Sequence, residues 1–141
     1  MIAYLDTSAF VPLLFAEKGS ESSRSLWSNA STVVSTRLLY VEAAAAVARS
    51  SREQGLAPDE VNRAVASLAQ RWKAVVPIEV GTGLAEAAAE AALRFGLRGY
   101  DAVHCAAAAL IRGDEVVAAS SDRQLLAAWR DLGLATFDPA G

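Results

Sequence analysis

Short apolar runs alternate with longer alanine-rich stretches along the whole chain, and this alternation constrains the fold more than any other feature. Runs rich in Val, Ile, Leu or Tyr favour strands, whereas alanine-rich stretches with apolar residues every three or four positions favour helices. Strands are predicted at Ile2–Leu5, Thr32–Ser35, Val75–Ile78, Glu115–Ala119 and Leu134–Phe137. Strands that alternate with helices indicate an α/β fold with a mostly parallel sheet covered on both faces.

Turn and capping residues predict where the helices begin and end. Ser35 and Thr36 can cap a helix that begins near Arg37, and Gly55 ends it. Pro58 suits the first position of the next helix, and the short connection predicts that the two helices pack as an antiparallel hairpin. Further helices are predicted at Ala9–Ala16, around Leu26–Trp27, from Leu84 to Phe95, from about Tyr100 to Ile111 and around Leu125–Trp129.

The length and composition predict one folded domain over residues 1–141. Hydrophobic residues make up 53% of the chain and charged residues 21%, which excludes disorder as the dominant state. The net charge of −3 argues against nucleic-acid binding through an overall positive potential but leaves local contacts open. Cys105 is the single cysteine, so any bound metal is expected to be a hard, oxygen-liganded ion.

The chain shows no signal for secretion or membrane insertion. Its first residues lack a basic leader, and the apolar run there is interrupted by Asp6 and Pro12. No uninterrupted apolar stretch is long enough to span a bilayer. We therefore expect a soluble cytoplasmic protein.

Two aspartates directly follow predicted strands and indicate a site at one edge of the sheet. Asp6 comes immediately after Ile2–Leu5, and Asp122 closes the Ser-Ser-Asp sequence after Glu115–Ala119. Ligands of open α/β sheets gather outside the carboxyl ends of the strands. Either aspartate could instead only cap the helix that follows it.

Two further acids stand apart from ordinary surface charges. Glu42 lies in a mainly apolar helix, where a buried carboxylate needs a partner or a cation. Asp101 opens an alanine-rich helix after Gly99-Tyr100, where the helix dipole favours its charge. A solvated Glu42 and a first-turn Asp101 are the alternative interpretations.

The sequence around these four acids resembles the PIN-domain nucleases, and most of all the VapC toxins of bacterial toxin–antitoxin pairs. Each of the four motifs is weak alone, but their order and spacing together make the resemblance specific. The motifs are Leu5-Asp6-Thr7-Ser8-Ala9, Tyr40-Val41-Glu42-Ala43, Gly99-Tyr100-Asp101-Ala102-Val103-His104 and Ser120-Ser121-Asp122-Arg123.

The resemblance implies a single PIN-like domain with a five-stranded, mostly parallel sheet in the order 3-2-1-4-5. In that order the first and fourth strands are neighbours, so Asp6 and Asp122 would flank the point where ligands bind. The resemblance further implies that Asp6 and Asp101 bind Mg²⁺, or Mn²⁺, directly, and that Glu42 and Asp122 complete the metal-binding and catalytic acidic pocket.

The function implied is that of a Mg²⁺-dependent endoribonuclease, the toxin of a VapBC pair, in which metal-activated water attacks an RNA phosphodiester. A cation held by carboxylates lowers the pKa of its bound water and neutralises phosphate oxygens. The implied partners are the RNA substrate, a VapB-like antitoxin whose C-terminal segment covers the active-site groove, and a second copy of the chain.

Several neighbouring residues have both a functional and a structural interpretation. The hydroxyls of Thr7, Ser8 and Ser121 could orient metal ligands or serve as caps. His104 lies one turn after Asp101, but a packed helix histidine is commoner than a catalytic one. Cys105 is interpreted as a core residue. Arginines that could contact RNA or form surface ion pairs are Arg37, Arg49, Arg52, Arg94 and Arg98.

The sequence is also compatible with two other functions. One is a PIN nuclease of RNA maturation that has no antitoxin. The other is a non-catalytic α/β binding module with an acidic pocket, similar to a phospho-receiver domain. The second predicts a lysine near the acids at the end of a late strand, and none follows the fourth strand. Other enzyme classes lack their motifs, since neither G-x-S-x-G nor G-x-x-x-x-G-K-[ST] occurs.

Overall fold

The computed structural model describes residues 1–141 as alternating strands and helices. Their order is β1 (Ile2–Leu5), α1 (Thr7–Phe10), a 3-10 turn (Val11–Leu13), α2 (Ser20–Asn29), β2 (Thr32–Thr36), α3 (Leu38–Gln54), α4 (Pro58–Trp72), β3 (Val75–Ile78), α5 (Thr82–Phe95), α6 (Gly99–Leu110), β4 (Val116–Ala119), α7 (Arg123–Asp131) and β5 (Ala135–Phe137). The predicted alternation is confirmed.

The five strands form one sheet in the order β3-β2-β1-β4-β5, and every neighbouring pair is parallel. This confirms the order that the family resemblance implied. β1 is central: Ile2 lies opposite Thr32 of β2 and Val116 of β4, and Leu5 lies opposite Ala119. The residues that follow β1 and β4 therefore emerge side by side at the carboxyl edge of the sheet.

Two hydrophobic cores cover the two faces of the sheet. Successive side chains of a strand point to opposite faces, so Tyr4 packs in one core with Trp129, while Leu5 packs in the other with Phe10 and Leu39. All five side chains are fully buried. Because helices cover both faces, β1 is an uninterrupted apolar run and not an alternating one.

Helices α3 and α4 form the predicted hairpin. Gly55 ends α3 with a φ of 62°, and Pro58 occupies the first turn of α4. Such a left-handed φ favours glycine because a side chain would clash with the backbone. At seventeen residues α3 is the longest helix, and no helix has both the length and the apolarity needed to cross a membrane.

Two local predictions were wrong. The helix expected over Ala9–Ala16 is only the four residues of α1 followed by the 3-10 turn, because Pro12 lacks the amide hydrogen that a continuing α-helix uses. Ser35 and Thr36 do not cap α3: Ser35 Oγ donates to the Leu5 carbonyl oxygen (2.6 Å), and Thr36 Oγ1 is buried without a partner. Both hydroxyls lie inside the sheet and not at the helix end.

Candidate active site

An open cleft of about 580 Å³ lies at the carboxyl edge of the sheet, and all four predicted acids line it. Asp6 and Asp122 reach it from the ends of the neighbouring strands β1 and β4. Glu42 reaches it from the second turn of α3, and Asp101 from the first turn of α6. The fold therefore brings together acids that are far apart in the sequence.

Asp6 is only 3% exposed, and three protein groups donate hydrogen bonds to its carboxylate. Ser8 Oγ (2.7 Å) and the amide of Ala9 (3.0 Å) donate to Oδ1, and Ser120 Oγ (2.6 Å) donates to Oδ2. Burial raises the pKa of Asp6, and the nearby His104 and these donors partly offset that rise. Asp6 is also the cap of α1, so the capping and cleft interpretations both hold.

Ser120 connects the two aspartates that follow the strands. Its Oγ donates to Asp6, as described, and accepts from the amide of Asp122 (2.9 Å). The Ser121 hydroxyl, for which the sequence allowed a ligand-orienting or a capping role, forms no hydrogen bond, and only the Ser121 amide donates to Ser8 Oγ (2.8 Å). The sequence missed Ser120 because adjacent serines after a strand give no indication of which one faces inward.

Asp122 serves as a helix cap and also lines the cleft. Its Oδ1 accepts from the amide of Leu125 in the first turn of α7 (2.9 Å). The other oxygen, Oδ2, has no hydrogen bond to the protein. The capping alternative is thus observed, and it leaves one oxygen of Asp122 available to the cleft.

Glu42 is paired with the only histidine of the chain. Glu42 Oε1 lies 2.8 Å from His104 Nε2, and these side chains are 19% and 2% exposed, respectively. The other ring nitrogen, Nδ1, lies 2.7 Å from the hydroxyl of Tyr4, while Thr7 Oγ1 lies 3.5 Å from Nε2. Burial, together with the charges of Asp6 and Glu42, raises the pKa of Tyr4 well above its ordinary value. Because His104 is 2% exposed and has a partner at each ring nitrogen, it is a packed residue, as the commoner interpretation predicted.

Asp101 differs from the other acids because its side chain forms no hydrogen bond to the protein. It is half-buried in the first turn of α6. Partial burial raises its pKa, and the nearby charges of Asp122 and Glu42 raise it further, whereas His104 and Arg98 lower it. These mutual effects show that the carboxylates of the cleft are close enough to repel one another.

The cleft also contains residues that the sequence did not single out. Glu17, whose pKa is raised by partial burial, adds a fifth carboxylate, and Tyr100 contributes an exposed aromatic ring. Glu17 lies in a segment without apolar periodicity or a strand end, so no sequence signal distinguished it from surface residues. Tyr100 belongs to the motif around Asp101, but its exposed ring had no role assigned from the sequence. Cys105 is fully buried and forms part of the core, as predicted.

Four of the five predicted arginines fall into two groups, and the fifth, Arg52, is exposed in the last turn of α3. Arg49 lines the cleft, and Arg98 lies beside Asp101. In contrast, Arg37 pairs with Glu79 and Arg94 pairs with Asp131, both at 2.6 Å on the exposed surface. The surface-pair interpretation therefore holds for Arg37 and Arg94.

The donor set of the cleft fits a hard divalent cation. Five carboxylates and one arginine line the cleft, so an anionic phosphate could approach only if positive charge were added. No three His, Cys, Asp or Glu side chains converge closely enough to enclose an ion. Mg²⁺ needs no such cage, because it keeps several waters and binds through one or two carboxylates.

The sequence profile of the PIN domain matches residues 3–129. The chain belongs to the PIN-domain family. Within that family it is 36% identical over 124 residues to Ribonuclease VapC45 of Mycobacterium tuberculosis, an alignment that covers 88% of this chain and 86% of the relative. The resemblance to VapC-type PIN domains is thereby confirmed.

Solved structures share the PIN fold of this chain at low sequence identity. PAE2754 from Pyrobaculum aerophilum superposes with a TM-score of 0.72 at 20% identity, over 99% of this chain and 84% of the other. A toxin-antitoxin complex from Klebsiella pneumoniae gives a TM-score of 0.64 at 15% identity, over 97% of both chains. These similarities confirm the architecture of the sheet and its flanking helices.

Proposed function

We propose that this PIN-domain protein is a Mg²⁺-dependent endoribonuclease and the toxin of a VapBC-type toxin–antitoxin pair. The observation that carries the proposal is the cleft in which Asp6, Glu42, Asp101 and Asp122 meet. The relative that is 36% identical is a ribonuclease, which supports RNA as the substrate.

Asp6 and Asp101 are the proposed direct ligands of the cation, with Glu42 and Asp122 beside them. A carboxylate has about four lone-pair sites, and three hydrogen bonds occupy those of Asp6, which leaves one site on Oδ2. Asp101 keeps both of its oxygens free of protein hydrogen bonds. When bound, the cation would supply a water of lowered pKa and neutralise charge on the scissile phosphate.

The other cleft residues orient these ligands and the RNA. Ser8 and Ser120 hold the Asp6 carboxylate in one orientation. Arg49 provides a positive group for a backbone phosphate. Tyr100, exposed beside Asp101, provides an aromatic face on which an unstacked base can rest, as is common when proteins bind single-stranded RNA.

The proposed partners are a VapB-like antitoxin and a second copy of the chain. Val41 lies at the cleft, and both Tyr40 and Val41 leave apolar surface exposed on α3. A partner segment that carries a basic side chain would suit such a surface, because its charge complements the carboxylates. The related fold of the Klebsiella pneumoniae toxin-antitoxin complex supports an antitoxin partner.

Incubation of the purified protein with total RNA tests the nuclease activity. Cleavage is expected with Mg²⁺ and not with EDTA, and it should disappear in Asp101→Ala. Glu86→Ala is the matched control, because Glu86 is an exposed acid outside the cleft. Cleavage that persists both in EDTA and in Asp101→Ala would reject the proposal.

Expression in a bacterial host tests the toxin assignment separately. Induction of the parent chain should arrest growth, and induction of Asp101→Ala should not. Co-expression of a small DNA-binding protein encoded beside this gene should restore growth. An active nuclease that leaves growth unaffected would favour the alternative of an RNA-processing enzyme without an antitoxin.

A further inference from the structure

Three side chains from three different elements form a continuous hydrogen-bonded chain behind the cleft. Tyr4 of β1 lies 2.7 Å from His104 Nδ1, and His104 Nε2 on α6 lies 2.8 Å from Glu42 Oε1 on α3. The Tyr4 and His104 rings also meet edge to face, with centroids 5.9 Å apart. The chain thereby connects the central strand to both helices that carry cleft acids.

The two hydrogen-bond partners of His104 indicate that its Nε2 carries a proton. An ionised Glu42 can only accept a hydrogen bond, so Nε2 must donate to it; a bare Nε2 would place two lone pairs against each other. In the neutral ring Nδ1 is then an acceptor for the Tyr4 hydroxyl, and in the charged ring Nδ1–H donates to the Tyr4 oxygen. In both forms Tyr4 satisfies Nδ1, and Nε2–H remains directed at Glu42.

Burial separates His104 and Tyr4 from any direct part in catalysis. Tyr4 is fully buried, and His104, although it borders the cleft, is only 2% exposed and has both ring nitrogens engaged by Tyr4 and Glu42, so neither presents a free polar atom to an RNA strand. Glu42 does line the cleft, and its second oxygen, Oε2, has no hydrogen bond to the protein. Glu42 is therefore the cleft acid that His104 can orient by a hydrogen bond.

We propose that His104 is a positioning residue whose Nε2–H, held in place by Tyr4, fixes Glu42 in the orientation in which it helps the cleft to bind a divalent cation. The inference rests on the proposed function of the same cleft. Partners that orient metal-binding carboxylates typically change metal affinity or activity by about 10- to 100-fold when they are removed.

His104→Leu and His104→Gln form the first test. Leucine removes the donor, whereas the glutamine amide can still donate to Glu42. We expect His104→Leu to weaken Mn²⁺ binding, measured by titration calorimetry without RNA, by about 10- to 100-fold and to lower kcat more than it raises KM. His104→Gln should restore most of both losses. Equal losses in the two variants would overturn the proposal.

A double-mutant cycle tests whether Tyr4 acts through His104. Tyr4→Phe should weaken Mn²⁺ binding in the parent chain but have little further effect in His104→Leu, because the two residues then act in one pathway. Full additivity of the two changes would contradict the proposed chain. Far-UV circular dichroism and Tm establish that each variant is folded, and if His104→Leu does not fold, Glu42→Ala replaces it in the cycle, because the chain is proposed to act through Glu42.

Calorimetry separates this inference from the proposed function. If the parent binds Mn²⁺ but cuts no RNA, the nuclease proposal fails, and the His104 variants still test the positioning role. If the parent cuts RNA and the variants lose only thermal stability, with Mn²⁺ affinity unchanged, the positioning role fails alone. A parent chain that binds no Mn²⁺ would overturn both.

Discussion

The two walls of the cleft are built in different ways. The sheet wall, formed by Asp6, Ser8 and Ser120, is buried and joined by short hydrogen bonds. The helix wall, formed by Tyr100 and Asp101, is partly exposed, and its carboxylate has no protein partner. One wall is therefore fixed before any ligand arrives, while the other is free to adapt to what binds.

This difference predicts that stability and activity depend on different residues. On the sheet wall a substitution should change both properties, because the same groups that orient Asp6 also complete the packing of the strand ends. On the helix wall a substitution should change activity with little effect on stability. The predictions below test this separation.

The largest effects are expected at the two proposed ligands. Replacement of either Asp6 or Asp101 by Ala should lower RNA cleavage by more than about 100-fold, since losing a ligand should exceed the loss of an outer partner. The two sites should differ in stability. The free energy of unfolding of Asp6→Ala should be about 1 to 3 kcal/mol lower than that of Asp6→Asn, because alanine leaves the groups that donate to Asp6 without an acceptor.

The matched comparison for that prediction is Asp101. Asp101→Ala and Asp101→Asn should have free energies of unfolding within about 0.5 kcal/mol of each other, since this side chain has no protein donor to lose. Denaturant unfolding of the four variants measures both differences. A gap at Asp101 as large as that at Asp6 would refute the contrast between the walls.

Ser120 and Ser121 provide a sharper test within two adjacent residues. Ser120→Ala removes the donor to Asp6 and the acceptor of the Asp122 amide, so cleavage should fall by about 10- to 100-fold. Ser121→Ala should stay near the parent, because the Ser121 side chain makes no hydrogen bond. Initial cleavage rates at saturating Mg²⁺ compare the Ser120→Ala and Ser121→Ala variants. Similar losses in both would mean that the Ser120 hydroxyl does not orient Asp6.

The raised pKa of Asp6 predicts a pH dependence of stability for the metal-free protein. Because burial raises this pKa above its ordinary value of 3.8, the folded state binds the proton more tightly than the unfolded chain. The contribution of Asp6 to stability therefore falls as pH rises through the interval between the two pKa values and is constant above it. Asp6→Asn removes this slope.

Thermal unfolding against pH measures that slope. The Tm of Asp6→Asn minus that of the parent should increase from about pH 4 upward, and the difference should shrink when Mg²⁺ is added to both. Asp101→Asn should show a weaker trend, because Asp101 is less buried and solvent screens its charge. Parallel curves for Asp6→Asn and the parent would contradict the burial of an ionised Asp6.

The smallest effects are expected at the arginines. Arg49→Ala should weaken RNA binding and reduce the slope of log affinity against log salt by about 0.7, as expected for one lost phosphate contact to a single strand. Arg94→Ala breaks an exposed pair with Asp131 and a contact with the Phe95 ring, both outside the cleft, and should leave that slope unchanged. Each arginine variant is combined with Asp101→Ala, so that fluorescence titration measures RNA binding without cleavage. Equal salt slopes for Arg49→Ala and Arg94→Ala would show that Arg49 does not contact the RNA.

The residues themselves were sufficient to predict the strands and their mostly parallel arrangement, for a physical reason, whereas the strand order came from the family resemblance. Short apolar runs and glycine or proline at helix ends are local signals, and a strand as apolar as Ile2–Leu5 can be stable only where both faces are covered. The meeting of Asp6, Glu42, Asp101 and Asp122 came from the combination of strand-end logic with the family resemblance. The structure brings all four to one cleft.

The hydrogen-bond partners could not be predicted in the same way. The pairing of His104 with Tyr4 and Glu42 depends on how α3 and α6 pack against β1, which no local pattern encodes. Ser120, and not Ser121, donates to Asp6 because β4 ends at Ala119, and a shift of that end by one residue would exchange the two serines. Such details are set by tertiary packing and not by propensity.

The central position of β1 has a consequence for how the protein is made. This strand is synthesised more than a hundred residues before its neighbour β4 and before the serine that binds Asp6. A partly synthesised chain therefore lacks one side of its cleft. The proposed nuclease activity, which needs the complete cleft, therefore cannot begin before β4 and Ser120 have been synthesised.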